Sequence, residues 1–157
     1  RKGIRPPVRS WCGKGSMTDP RIYTLEEAER ALPLVRRIVA DILRAYRDWQ
    51  GAVDRYEIAV AGAVADEPEP AEVEALRSAV NLRADEVARY LEELQTLGCE
   101  FKDFRLGLVD FYALLDDRLV FLCWQMGENG ITHWHELDSG MAGRQPIDQS
   151  LFHGIVP

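Results

Sequence analysis

The sequence is poor in cysteine and histidine and has no long apolar run. Its three cysteines, Cys12, Cys99 and Cys123, are odd in number and form no C-x-x-C pair. That argues against a disulfide framework and favours a reducing, cytoplasmic setting. No apolar stretch approaches the roughly 18 residues that cross a bilayer, and no basic-then-apolar leader is recognisable, so no membrane role is expected. There is no H-E-x-x-H, no internal repeat and no low-complexity tract. Gly140-Met141-Ala142-Gly143-Arg144 lacks the preceding strand and following Lys-Ser/Thr of a phosphate loop, and reads as a turn with a salt-bridging arginine.

What is present describes one globular domain. At 157 residues, 46% hydrophobic and 29% charged, the chain is long enough to bury a core of its own. The formal charge of −7 is uneven: residues 1–16 carry +5 with no acid, leaving −12 for residues 17–157. An acidic body repels phosphate backbones, so nucleic acid is not the expected partner. The basic head, residues 1–16, has no helical or strand period and is set apart from the single domain 17–157.

Thr24-Leu25-Glu26-Glu27 has the form of a capping box and predicts a short helix through Ala31. Pro33 predicts a sharp kink there, or the first position of a second, longer helix. Apolar residues then recur at Leu34, Ile38, Ile42, Ala45, Trp49, Val53, Tyr56 and Val60, the period of a long amphipathic helix. Residues 62–70 are a solvated connection, and Val73, Leu76, Val80, Val87, Leu91, Leu94 and Leu97 mark a second helix ending at Gly98. After Gly98 the period shifts towards two. Strands are predicted at 99–103, 108–115, 118–126 and 131–136, with an irregular tail over 137–157. The fold class is therefore α+β: a long antiparallel helical hairpin (about 24–97), then a small three- to four-stranded antiparallel sheet (about 99–136). One hairpin cannot cover both apolar stripes, so a homodimer through the helices, or another protein partner, is expected.

Two turns set the register of the last strands. A two-residue turn at Asp116-Asp117 places Asp110 opposite Cys123, Phe111 opposite Leu122 and Val109 opposite Trp124. Asn129-Gly130 predicts a type I′ turn that pairs Glu128 with Ile131, Met126 with His133 and Trp124 with His135. On that register His133, His135 and Glu128 share a face with Leu122, Trp124 and Met126. Asp110, Cys123, Trp134 and Glu136 share the other.

The first group offers two imidazoles and a carboxylate, ligand types that zinc or iron accepts, with a position open for water. The expected metal set is His135, Glu128 and His133, with Asp110 in reserve. Satisfied packing of both histidines is the competing reading. Cys123 beside Asp110 is expected to be a buried structural thiol, because a neighbouring carboxylate raises a thiol pKa. Lys102 and Asp103 are expected to pair at a strand end, and Tyr46, Trp49 and Tyr56 to pack in the core.

The chain resembles the bacterial family known as domain of unknown function 2203. The likeness runs over roughly residues 22–148. It rests on Tyr23-Thr24-Leu25-Glu26-Glu27-Ala28 with Leu32-Pro33, on Gly98-Cys99-Glu100-Phe101-Lys102-Asp103 and on Gly107-Leu108-Val109-Asp110-Phe111. Leu122-Cys123-Trp124, Gly127-Glu128, Trp134-His135 and Gly140 with Gly143-Arg144 complete it. The resemblance implies a small bacterial protein with no established activity. It also implies that Lys102, Asp103, Asp110, Cys123, Glu128, His135 and Arg144 follow the family's polar pattern, whereas His133 departs from it. Two function classes are carried forward: an interaction or scaffold module, and a metalloprotein, a metal-dependent hydrolase among the options.

Overall fold

The computed structural model describes residues 20–148 and residue 150, so the basic head and most of the last ten residues lie outside the described residues. Helix α1 spans Leu25–Ala61 and α2 spans Ala71–Thr96. Five strands follow in order: β1 Cys99–Asp103, β2 Leu108–Leu115, β3 Arg118–Gln125, β4 His133–His135 and β5 Gln145–Pro146. They form one antiparallel sheet in chain order, the α+β architecture expected, with one strand more. The extra strand, β5, lies in the stretch expected to be irregular.

The capping box forms at Thr24. Glu27 N–H donates to Thr24 Oγ1 at 3.1 Å, and Thr24 N–H donates to the Glu27 carboxylate at 3.0 Å. The helix it starts does not stop at Pro33, which sits inside α1. Proline removes one backbone donor, but Ala28, Leu32, Val35, Ile38 and Val39 are buried on both sides of it, and their burial outweighs one lost bond. The core stripe is therefore carried by Leu32 and Val35, while Leu34, expected within it, is exposed. Gly98, with φ 83°, takes the left-handed position after α2.

Sheet residues on one face (Phe101, Val109, Phe111, Val120, Leu122, Trp124 and their neighbours) join helix residues such as Val39, Ile42 and Leu94 in a single core. Tyr46, Trp49 and Tyr56 pack with it. The β2–β3 register is the expected one, Asp110 opposite Cys123 and Val109 opposite Trp124. Asp116 and Asp117 both have positive φ, 49° and 62°, as a type I′ turn requires.

The β3–β4 register is not the expected one. His135 stands opposite Phe121, Trp134 opposite Leu122 and His133 opposite Cys123. Neither Asn129 nor Gly130 has positive φ, whereas Gly127 does, at 100°. Residues 126–132 form a longer connection that α1 holds in place. The Ile131 N–H donates to Glu29 Oε1 at 2.7 Å, and Arg36 donates to the Glu128 and Asn129 carbonyls at 3.1 and 2.9 Å. These tertiary bonds override the local turn signal. The slip is three residues, an odd number, so it turns both histidines and Trp134 to the opposite faces.

Candidate metal centre

The slip decides which side chains meet. Asp110 on β2, Cys123 on β3 and His135 on β4 now share the sheet face away from the core, and their ligand atoms lie within 4.8 Å of one another. His135 Nε2 is 3.0 Å from Asp110 Oδ2, with both side chains 3% exposed. Residues 137–143 roof the site: Leu137, Gly140 and Met141 line a cavity of about 120 Å³ together with the three polar groups.

The imidazole is oriented from behind. Its Nδ1 lies 2.7 Å from the Glu136 backbone carbonyl, an acceptor only, so Nδ1 carries a hydrogen and donates. That assignment leaves Nε2 directed at Asp110. A carbonyl holding the second nitrogen in this way is the usual support of a metal-ligating histidine. Without a metal the short Nε2–Oδ2 contact needs one proton between imidazole and carboxylate. The hydrogen bond to Asp110 raises the His135 pKa above its usual value, burial opposes it, and the Glu136 carbonyl adds to it.

Two features are unexplained by the side chains alone. Asp110 Oδ1 is buried and has no hydrogen-bond partner, a costly state for a carboxylate oxygen. The Cys123 thiol is pushed up to about 12, first by burial and then by the Asp110 charge, with Arg144 opposing. A thiol held that high is no free nucleophile. A divalent cation reverses both effects at once, since it displaces the thiol proton and accepts the idle oxygen.

The other expected ligands are elsewhere. Both Glu128 carboxylate oxygens accept from Arg144 Nη2 at 2.9 Å, and Glu128 Oε2 also accepts from the Gln125 N–H at 2.8 Å. Arg144 also donates to the Cys123 carbonyl at 3.3 Å. Glu128 thus fastens the end of the roof and does not join His135. His133 is half-buried, and its Nδ1 contacts Thr132 Oγ1 at 2.8 Å. Lys102 pairs with Glu100, not Asp103. Asp103 Oδ1 instead accepts the N–H groups of Arg105 and Leu106 at 2.7 and 2.8 Å, closing the β1–β2 turn. Cys123 is the candidate ligand that sequence reasoning sets apart from His135. The signal that would have joined them was the slipped register, which depends on Glu29 and Arg36 about a hundred residues away.

No helix among the described residues is long and apolar enough to cross a membrane. No curated protein and no solved structure matches the chain. A family model does match, over residues 21–147, and by that match the chain belongs to the DUF2203 family, described as an uncharacterized conserved protein.

Proposed function

We propose that this is a metal-binding protein whose centre is Asp110, Cys123 and His135, holding one divalent ion of the zinc or iron type. The observation that carries the reading is the His135 ring. Its Nδ1 is committed to the Glu136 carbonyl, and its Nε2 points at a buried carboxylate that has one oxygen without a partner. Nitrogen, thiolate and carboxylate suit zinc, and three protein ligands beside a cavity leave a fourth position open. A Lewis acid with an open position suits metal-dependent hydrolysis, which is the reaction class we assign to it. The thiolate ligand fits a reducing, cytoplasmic setting.

Elemental analysis after equilibration with zinc and exhaustive dialysis tests the reading. One ion per chain is expected, falling to background in Cys123→Ser and in His135→Ala. Both variants are first checked for native circular dichroism. A wild-type chain that retains no metal overturns the proposal. An interaction module dimerising through the hairpin is the second reading, supported by Leu34, Ile58 and Leu82, which stay exposed on the helices. Sedimentation as a monomer would remove its homodimer form.

A further inference from the structure

Beyond its three polar groups and Gly140, the cavity presents four apolar side chains, Leu108, Phe121, Leu137 and Met141, and one cation, Lys102. Resting on the metal reading, we infer that the open position takes a small carboxylate anion with a short aliphatic tail, and that Lys102 pairs with it.

Charge sets the sign of the ligand. A divalent ion with one thiolate, one carboxylate and a neutral imidazole is balanced, so an entering anion adds one uncompensated negative charge beside three buried side chains. Among the lining residues only Lys102 answers it. Its ammonium has three N–H donors and gives one to Glu100, whose other oxygen accepts from the Tyr112 hydroxyl. Glu100 does not line the cavity, so Lys102 keeps donors for a ligand inside it. A cationic ligand would face both the metal and Lys102.

Size sets the class. A space of about 120 Å³ is of the order of an engineered apolar cavity of about 150 Å³ that takes up benzene, so the ligand it admits is a small one. Acetate and propionate fit within that room. The four apolar side chains accept a methyl or ethyl group and give a phosphate's oxygens nothing to bond.

The full chain loaded with cobalt(II) in place of zinc reports the fourth position through its visible absorption. Cobalt content is measured first; failure to take up cobalt overturns the metal reading and this inference with it. In the loaded protein, acetate and propionate are expected to shift the bands saturably. Acetamide and methylammonium are expected to leave them unchanged. Lys102→Ala should weaken acetate about tenfold at unchanged cobalt content, and Lys102→Arg should restore part of the affinity. Loaded protein that answers acetamide as well as acetate, or Lys102→Ala that binds acetate like wild type, overturns the inference while the metal reading stands.

Discussion

His135 and Asp110 form a pair that is closed off from solvent: Nε2 and Oδ2 are 3.0 Å apart, and each side chain is 3% exposed. In the metal-free protein, removing either partner strands the other. His135→Ala leaves a buried carboxylate without its imidazole partner and with only the Cys123 thiol beside it, at a cost of about 3 kcal/mol. The Asp110→Ala, His135→Ala double variant should cost less than the sum of the singles, because nothing charged is then left behind. Urea unfolding of the four metal-free proteins measures the coupling, and additive losses would count against the pair.

Arg144 fastens the roof to the sheet. Its guanidinium bonds both Glu128 oxygens and the carbonyl of Cys123, and its side chain is only 13% exposed. Arg144→Met should cost about 1–3 kcal/mol by leaving Glu128 half-buried with only the Gln125 N–H as a partner. It should also let a chelator strip the metal several-fold faster, while the loaded stoichiometry stays at one. Glu128→Gln, which keeps an acceptor for the guanidinium, should lie between. A stripping rate unchanged in Arg144→Met would show that the roof does not guard the site.

Away from the centre, Tyr23 and Cys99 make the fold sensitive to alkali. Burial is the first cause of both shifts, and it pushes the Tyr23 phenol and the Cys99 thiol up to about 12. Between their ordinary values and about 12 the folded chain holds protons that the unfolded chain has released. Stability is therefore complete below about pH 9 and falls as pH rises towards 12. Tyr23 also donates to the Leu97 carbonyl and meets Phe111 edge-on at 5.2 Å. Tyr23→Phe should lose about 1 kcal/mol at neutral pH and show a shallower alkaline decline. A decline parallel to wild type would exclude Tyr23 as its source.

Local chemistry was readable wherever it acted alone. Thr24 and Glu27 satisfy each other across three residues, and Asp116-Asp117 adopts the left-handed pair its turn needs, so the helix start and the β2–β3 register followed from the sequence. The helical hairpin and the class of fold were readable for the same reason, since each apolar stripe is a property of one segment. Pro33 and Asn129-Gly130 misled because distant contacts overrode them: burial around Leu32 and Val35 in one case, Glu29 and Arg36 in the other. The second override moved His135 from beside Trp124 to the face of Asp110 and Cys123, and so changed the composition of the candidate site. The sequence alone marks Asp110 and His135 as candidate ligands. It presents Cys123 as a separate buried thiol, and residues 137–143 carry no period that would reveal a roof.

Zinc K-edge absorption of the loaded chain tests the centre most directly, because it reads the ligand atoms themselves. The account predicts a single sulfur at about 2.3 Å with nitrogen or oxygen neighbours at about 2.0–2.1 Å, and loss of the sulfur in Cys123→Ser. A shell of nitrogen and oxygen alone in the wild-type chain would place the ion elsewhere and contradict it.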